Sequence, residues 1–361
     1  MIKPRQRKVT IQRKIAKYAL SFKYGFRISK PLMMARIAYN YLYYLVKKKP
    51  RPRFVDLAVT YRCNLNCIHC SATRLKQERP EHMSIEDIRR IGKQLRRAGV
   101  AQIQLTGGEP LLRKDLEEVI RALGPGAFFI SVSTNSTLVT KERLASLKKA
   151  GLDNLCVSID DWNAQEHDRW RGLPGIHEKA LQAVTDAKAA GLRAMIFTVA
   201  THANVRSDAF LKLLEFAGEK KVLVIVGWAV PTGNWNANRD ILLTGDDLEY
   251  LETLHEKYLY VRTDFETNYF HFGCGAVKEK LYITTYGDVI PCAFVHIKLG
   301  NIFEESLESI RERAMRVDWF REYNSLCLAA NDPDFREKHM SRVFAADQEP
   351  IPFDDAGFDM K

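Results

Sequence analysis

Residues 54–70 read Phe-Val-Asp-Leu-Ala-Val-Thr-Tyr-Arg-Cys-Asn-Leu-Asn-Cys-Ile-His-Cys, an apolar run that leads into three closely spaced cysteines. Cys63, Cys67 and Cys70 follow the pattern C-x3-C-x2-C directly after a predicted strand. Three thiolates on one loop can bind three irons of a 4Fe–4S cluster. Because no fourth cysteine is near, one iron is left open for an exogenous ligand. The pattern therefore predicts an iron–sulfur centre at which chemistry takes place.

Two other cysteine chemistries fit this spacing less well. A structural zinc site usually has four ligands in two close pairs, and His69 adjoins Cys70 too directly for both side chains to converge on one ion. A disulfide framework is disfavoured because the chain has seven cysteines, an odd number, in 361 residues. We also expect no secretory signal, because no small-residue cleavage site follows the apolar run over 32–46. The iron–sulfur interpretation is therefore preferred to zinc on spacing.

The cysteine motif resembles the signature of the radical S-adenosylmethionine (SAM) superfamily, C-x3-C-x-Φ-C, where Φ is usually aromatic and His69 stands in its place. The resemblance implies that the amino and carboxylate groups of SAM chelate the open iron. It further implies that one electron from the cluster cleaves SAM to a 5′-deoxyadenosyl radical, which abstracts hydrogen from a substrate. An electron donor such as flavodoxin or ferredoxin is then an expected partner.

The middle of the chain predicts repeated strand–helix units. Short apolar strands of this kind are expected to be buried on both faces of a parallel sheet with right-handed crossovers. Periodicity alone does not distinguish a barrel from a doubly wound sheet, whereas the superfamily resemblance implies an α/β fold with a partial (β/α)6 barrel. The predicted strands are 54–60, 101–105, 128–133, 155–159, 193–200 and 222–230, and the predicted helices are 85–97, 116–123, 141–149, 177–189 and 208–217.

Four regions follow from the resemblance and the composition. A basic amphipathic helical arm covers 1–53, and the radical SAM barrel covers 54–260. A small α+β auxiliary-cluster domain covers 261–340, and the acidic segment 341–361 is predicted to be a flexible tail.

Polar motifs follow the predicted strands at the end where parallel barrels hold their ligands. Thr106-Gly107-Gly108-Glu109-Pro110 follows the second strand; paired glycines let backbone approach a ligand, and a carboxylate can accept bonds from an ammonium group. The resemblance identifies this stretch as the motif for the SAM amino group. An ordinary turn is the alternative.

The resemblance extends to the next two strands. It places ribose contacts near Ser133 and Asn135, which are otherwise common turn and capping residues. Ser158 and Asp160, two apart on a strand, would face the cofactor. The fork of Arg171 suits the SAM carboxylate, with a surface ion pair as the open alternative. The predicted cofactor contacts are Gly107, Gly108, Glu109, Ser133, Asn135, Ser158, Asp160 and Arg171.

Three further cysteines, Cys274, Cys292 and Cys327, lie in the last third of the chain. This region resembles the auxiliary-cluster extensions of radical SAM enzymes, of the SPASM or shorter twitch type. The full SPASM pattern has seven cysteines, so the resemblance implies a twitch-like domain with one auxiliary 4Fe–4S cluster held by these three. The candidates for the fourth ligand are the substrate and four side chains: Asp332, His271, His296 and His339.

The net charge of +11 is concentrated at the start of the chain. Residues 1–53 hold sixteen Lys or Arg and no Asp or Glu, whereas the remainder has a net charge of −5. Apolar residues recur at helical spacing over 11–26, and Pro31 can open a second helix that ends at Lys47-Lys48-Lys49. The apolar run over 32–46 is shorter than the ~20 residues that span a bilayer.

Basic helices with apolar faces suit an anionic membrane surface, which is our first interpretation of the arm. Packing within the protein or between subunits ranks second, binding of an acidic peptide third, and nucleic acid last. Aromatic residues in the second helix favour an interface over a contact with phosphates alone. We therefore expect a cytoplasmic enzyme, peripheral on the inner face of the membrane.

The sequence thus predicts a radical SAM enzyme that acts on a lipid or other membrane-associated substrate. The rival within the class is an enzyme that modifies peptides, since many relatives with auxiliary clusters act on peptides. From a different class, a non-catalytic iron–sulfur or nucleic-acid-binding protein stays open. The glycine–glutamate turn and the polar strand ends argue for a bound cofactor against that alternative.

Overall fold

The computed structural model describes residues 20, 27–78, 81, 83–263, 265, 269 and 273–359. Apart from Leu20, the first helix predicted for the basic arm, over 11–26, lies outside the described residues, and so does the candidate ligand His271.

The described part of the chain forms the strands and helices given below, and a π-helical turn (Arg336–Met340) lies between the last two helices. The strands are β1 Phe54–Thr60, β2 Gln102–Gly107, β3 Phe129–Thr134, β4 Asn154–Ser158, β5 Arg193–Ala200, β6 Leu223–Trp228, β7 Val261–Thr263, β8 Lys280–Ile283, β9 Asp288–Ile290, β10 Ile297–Lys298, β11 Gly300–Asn301 and β12 Ile351–Pro352. The helices are α1 Pro31–Lys47, α2 Ile85–Ala98, α3 Leu116–Leu123, α4 Lys141–Ala150, α5 Ala164–Arg171, α6 Ile176–Ala189, α7 Asp208–Lys220, α8 Gly245–Lys257, α9 Leu307–Ala314, α10 Asp318–Arg321, α11 Pro333–Phe335 and α12 Ser341–Ala345.

A single large sheet organises the described residues. Its strands from β1 to β7 are parallel and stand in sequence order. In a doubly wound sheet, the order in which successive strands are added would reverse after the first strands. Sequential order with helical crossovers is instead the winding of a barrel, so the predicted partial barrel is confirmed. On the other edge, β8 pairs with β1 in parallel, and β9 and β11 follow in antiparallel pairing.

Local signals in the sequence set the helix ends. The Ser84 hydroxyl accepts a hydrogen bond from the Asp87 amide, and the Asp87 carboxylate accepts one from the Ser84 amide, which completes the capping box at the start of α2. Gly99 ends α2 with φ of 106°, in the left-handed region where glycine is favoured. The same type of ending, at Gly151, closes α4.

The prediction that the strands are buried on both faces was wrong for β2 and β5. Burial in both strands alternates along the chain. Ile103 and Leu105 of β2 belong to the main hydrophobic core, whereas Gln104 and Thr106 on the opposite face are half-buried. Because alternate residues of a strand point to opposite faces, this second face is an accessible inner surface of the barrel.

The C-terminal region continues the same sheet. β8 and β9 form an antiparallel hairpin around the turn at 286–288. Segment 341–361 was expected to be a flexible tail, yet its described part forms α12 and then β12, which pairs with β10 at Ile297 and Ile351. Ile351 and Ala356 are buried, and this apolar burial accounts for the order of the segment.

The second helix predicted for the arm is observed as α1, and it packs across one end of the barrel. The Arg36 guanidinium donates to the carbonyls of Val100 (2.8 Å) and Ala127 (2.7 Å), and the Asn40 amide donates to the Gly99 carbonyl (2.7 Å). These carbonyls precede β2 and β3, so α1 lies at the N-terminal ends of the strands. In the described part of the chain, no helix combines the length and the apolar character needed to cross a membrane.

Candidate active site

The loop after β1 brings Cys63, Cys67 and Cys70 to the C-terminal end of the barrel strands. Cys63 is exposed, Cys70 is half-buried and Cys67 is buried. Arg171 Nη1 lies 3.9 Å from Cys67 Sγ, and Asn135 Nδ2 lies 3.9 Å from Cys63 Sγ. Nitrogen donors directed at sulfur stabilise thiolates, so this donor set fits an iron–sulfur cluster held by the three cysteines.

Two other segments of the chain hold the backbone of this loop. Ile68 N donates to the Trp170 carbonyl at 2.9 Å, and the Asn234 amide Nδ2 donates to the Cys67 carbonyl at 2.7 Å. Gly233 has φ of 63°, and a Cβ at this position would lie 2.0 Å from the carbonyl oxygen of Cys70. Glycine is therefore required here for the close approach.

Burial controls the ionisation of the central cysteine. It raises the pKa of Cys67 to about 11, although the charge of Arg171 acts in the opposite direction. Without a metal, Cys67 is therefore a neutral thiol at pH 7. Because metal coordination requires the thiolate, binding of the cluster releases this proton.

The motif Gly107-Gly108-Glu109 packs against the chain that leads into the cysteine loop. Cβ atoms at the two glycines would lie 2.2 Å from the Thr60 carbonyl oxygen and 2.3 Å from that of Arg62. Gly108 N donates to Thr60 O at 2.7 Å, and Glu109 N donates to Arg62 O at 2.9 Å. The glycines thus permit close contact between two backbone segments, and this contact fixes the motif beside the cysteines.

The Glu109 side chain joins the ends of β2 and β3. Its Oε1 accepts hydrogen bonds from Thr134 Oγ1 (2.9 Å) and Leu111 N (3.0 Å), and its Oε2 accepts one from Asn135 N (2.7 Å). Burial raises the pKa of Glu109 to about 7 against these hydrogen bonds, which favour the carboxylate. Each carboxylate oxygen has more than one lone pair, so an ammonium group can still bind. Sequence reasoning missed Thr134.

Asp160 and Arg171 form a buried ion pair beside Cys67. Arg171 Nε donates to Asp160 Oδ2 at 2.6 Å, and the Asp160 carboxylate is 1% exposed. The surface ion pair considered for Arg171 is therefore wrong. Although burial acts to raise it, the charge of Arg171 holds the pKa of Asp160 at about 2. This ion pair holds the guanidinium beside the Cys67 sulfur.

His69 packs as the aromatic residue that the motif usually has in its place. Its ring lies 5.3 Å from that of Trp170 and 5.6 Å from that of Trp235, measured between centroids. Burial lowers the pKa of His69 to about 4, so the ring is neutral at pH 7. The two tryptophans were missed from the sequence because they lie far from the motif along the chain.

Ser133 and Ser158 lie on the inner face of the barrel. Their neighbours Val132 and Val157 belong to the hydrophobic core on the opposite face, whereas both serines are half-buried. Seven of the eight predicted cofactor contacts thus lie at the C-terminal ends of β2, β3 and β4, and the eighth, Arg171, ends α5 beside Cys67.

The three C-terminal cysteines also come together. Burial raises the pKa of Cys292 to about 12, and the nearby Cys274 contributes to this shift. The pKa of Cys327 is raised by burial and then by Cys274 and Cys292. Mutual effects of this kind require the three thiols to be neighbours, and a set of three half-buried free cysteines fits an auxiliary cluster.

Three of the side chains considered as a fourth ligand have other partners. His296 Nε2 is 3.0 Å from the Ala293 carbonyl oxygen, and its Nδ1 contacts Glu349. Asp332 Oδ1 accepts the amide of Phe335 at 2.9 Å, and His339 Nδ1 is bonded to a carbonyl in the C-terminal segment. Within the described ranges, no three His, Cys, Asp or Glu side chains are grouped to hold one metal ion. The thiolates of a cluster bind different irons and need not converge in that way.

Two family models match the parts of the chain that contain the two groups of cysteines. The family model of the radical SAM superfamily matches residues 57–217, and that of an iron–sulfur cluster-binding domain, SPASM, matches residues 274–332. A probable GTP 3′,8-cyclase of Methanosarcina acetivorans is 33% identical over 294 residues, covering 72% of this chain and 83% of that protein. An AdoMet-dependent heme synthase of Methanosarcina barkeri is 26% identical over 295 residues, covering 73% of this chain and 83% of its own length.

Solved structures share the fold. Streptococcus suis SuiB bound to its precursor peptide SuiA has a TM-score of 0.59 at 19% identity, covering 76% of this chain and 68% of that one. The enzyme anSMEcpe with bound AdoMet has a TM-score of 0.57 at 18% identity, covering 76% of this chain and 83% of that one.

Proposed function

Because this chain belongs to the radical SAM superfamily and has a SPASM domain, we propose that Cys63, Cys67 and Cys70 hold its catalytic 4Fe–4S cluster. The observation that carries the proposal is the pair of nitrogen donors, Arg171 Nη1 and Asn135 Nδ2, each 3.9 Å from a cysteine sulfur. With SAM bound, the reduced cluster would supply the electron that cleaves SAM to methionine and a 5′-deoxyadenosyl radical, the species that would abstract hydrogen from a substrate.

The residues around the loop bind and orient SAM in this proposal. Glu109 accepts the SAM amino group while Thr134 and the Asn135 amide fix its carboxylate. Arg171 meets the SAM carboxylate while Asp160 holds its guanidinium in place. The remaining contacts, to the ribose and along the inner face, come from Gly107, Gly108, Ser133, Asn135 and Ser158.

Anaerobic SAM cleavage by the reconstituted protein with a strong reductant tests the proposal. We expect the intact chain to release 5′-deoxyadenosine, with an external electron donor such as flavodoxin or ferredoxin replacing the chemical reductant. The triple variant Cys63→Ala, Cys67→Ala, Cys70→Ala is expected to release none. Equal release from the two proteins would refute the assignment of the cluster ligands.

Cys274, Cys292 and Cys327 are the proposed ligands of the auxiliary cluster. Their mutual proximity supports this assignment. The accessible inner face of the barrel, with Gln104 and Thr106, is the proposed substrate surface. Iron content is the direct test: a variant that lacks all three cysteines should lose one cluster and keep the other.

The outer face of α1 supports a membrane-associated substrate. Among the described residues, six of the eight exposed large apolar side chains lie on 28–46, with 52–83% of their surface exposed. α1 contains no acidic residue, and Lys47, Lys48 and Lys49 are exposed at its end. This combination suits an anionic membrane surface at the inner face of the cytoplasmic membrane. The six residues are Ile28, Leu32, Tyr39, Leu42, Leu45 and Val46.

Flotation with liposomes tests this attachment. We expect binding to vesicles that contain phosphatidylglycerol and weaker binding to pure phosphatidylcholine. The triple variant Leu32→Ser, Leu42→Ser, Val46→Ser should lose binding, because it removes apolar area from the outer face alone. Leu138→Ser, at an exposed position elsewhere, is the matched control. Unchanged flotation of the triple variant would count against a membrane surface.

The second candidate is a peptide substrate. It is favoured by the solved structures of similar fold that were determined with peptides, SuiB with SuiA and anSMEcpe with its Cp18Cys peptide. SAM cleavage stimulated by a peptide, with no response to lipid, would favour this candidate over the first.

A further inference from the structure

Lys278 is a fully buried lysine in the loop that carries Cys274. It has no exposed surface, and its Nζ donates to the Phe320 carbonyl at 3.0 Å. The Nζ atom also lies 5.4 Å from the centroid of the Tyr323 ring. A buried ammonium group is costly unless an opposite charge compensates it. The neighbouring Glu279 is buried, with 1% of its surface exposed, and supplies one such charge. The cluster proposed at Cys274 and Cys327 would supply another.

Lys278 belongs to a set of bonds that join the two loops on either side of the site. Cys274 N donates to the Asn324 carbonyl at 2.7 Å, and Tyr323 Oη donates to Glu279 Oε1 at 2.7 Å. Together with the bond from Lys278, they tie segment 274–279 to segment 320–324, just before Cys327. The relative position of the two cysteine-bearing loops depends on these contacts.

The turn that directs Lys278 inward is strained. Val277 is fully buried and has φ of 64°, a rare conformation for a β-branched residue. Arg311 Nε donates to the Val277 carbonyl at 3.0 Å and so holds the turn. Strained backbone of this kind persists where the surrounding contacts enforce it and is concentrated at functional sites.

We propose that Lys278 is a positioning residue of the auxiliary cluster, whose cation raises the reduction potential of that cluster. The inference rests on the ligand set proposed above. Reduction adds negative charge to a cluster, and a cation in a low-dielectric interior stabilises the more negative state. Burial lowers the pKa of Lys278 to about 8, and Cys274 and then Glu279 oppose this effect.

A redox titration followed by electron paramagnetic resonance tests the inference. The full chain with Cys63→Ala, Cys67→Ala and Cys70→Ala isolates the auxiliary signal. In this parent, Lys278→Met is expected to make the midpoint potential more negative. Lys278→Gln keeps a donor for the Phe320 carbonyl but removes the charge, so its midpoint potential should also be more negative than that of the parent. This variant keeps the test valid if Lys278→Met fails to assemble the cluster.

Tyr323→Phe is the matched control, because it removes a bond between the same two loops and changes no charge on the lysine. Its potential should equal that of the parent. A parental potential in Lys278→Gln, or an equal shift in Tyr323→Phe, would overturn the tuning role. Absence of an auxiliary signal in the parent itself would overturn the ligand assignment and this inference together.

Discussion

The two cysteine sites are built in opposite ways. The catalytic cysteines stand within eight residues of one loop, and the barrel brings distant donors such as Arg171 and Asn135 to their sulfurs. The auxiliary cysteines are spread over 274–327, and bonds between loops bring the thiols themselves together. In the first site the three cysteines are close together in the sequence, and the residues that support them come from distant segments. In the second site the cysteines themselves come from distant segments. The first therefore has a motif that the sequence reveals directly.

The largest expected effects are losses of SAM cleavage or of one cluster, and single cysteine substitutions should cause them separately at the two sites. Cys67→Ala should abolish SAM cleavage and leave the auxiliary iron in place, because its thiol belongs to the catalytic loop. Cys327→Ala should remove the auxiliary cluster while SAM cleavage without substrate turnover continues. Iron analysis and 5′-deoxyadenosine release measure both outcomes. Loss of both clusters in either variant would show that the two sites do not assemble independently.

A smaller effect concerns the support of the catalytic loop. Asp160→Asn leaves Arg171 charged and unpaired in the interior, so we expect a loss of about 3–5 kcal/mol in unfolding free energy. Because the pKa of Asp160 is lowered to about 2, its stabilisation is present above pH 4 and is lost as the pH falls through about 2. Urea denaturation of the apoprotein at pH 7 measures the loss.

An exposed ion pair provides the control for that substitution. Glu166 and Arg169 pair at 2.7 Å with about half of each side chain exposed. Glu166→Gln should change the unfolding free energy by less than about 1 kcal/mol, because solvent screens the interaction. Equal losses for the two substitutions would contradict the strong role of the buried pair.

The smallest effect is a pH dependence at Glu109. Burial raises its pKa to about 7, so the folded state holds a proton that the unfolded state releases near pH 4.5. The contribution of Glu109 to stability is therefore full below pH 4.5 and falls as the pH rises to about 7. Relative to Glu109→Gln, the apoprotein should lose about 1–3 kcal/mol over this range. Parallel pH profiles of the two proteins would refute the shift.

Features that depend on neighbouring residues were predictable, and features that depend on distant ones were not. The strand over 54–60, the capping box at Ser84 and the cysteine loop all follow from local patterns. The contact of Trp170 and Trp235 with His69 joins segments more than 60 residues apart, which no local pattern indicates. The accessible inner face was also missed, because apolar content does not reveal which side of a strand meets the helices.

One missed helix did have a local signal. Thr244 and Asp247 form a capping box at the start of α8, with the same spacing as Ser84 and Asp87 at the start of α2. α5 was also absent from the predicted helices, although Asn163 caps it and Gly172 ends it, and only Arg171 within it was predicted to contact the cofactor. Its last residue, Arg171, is directed at the cluster loop because the helix places it there.

α1 and the cysteine loop lie at opposite ends of the barrel, and this fixes how the cysteine loop would face a membrane bound by α1. α1 crosses the N-terminal ends of the strands, whereas the cysteine loop leaves β1 at its other end. Seven residues of strand measure roughly 20 Å. A bilayer held by the outer face of α1 would therefore lie behind the barrel, with the reaction facing the aqueous phase. A lipid attacked by such an enzyme would react on a part that extends far above the interface, as a long polar headgroup does, and its acyl chains would stay out of reach.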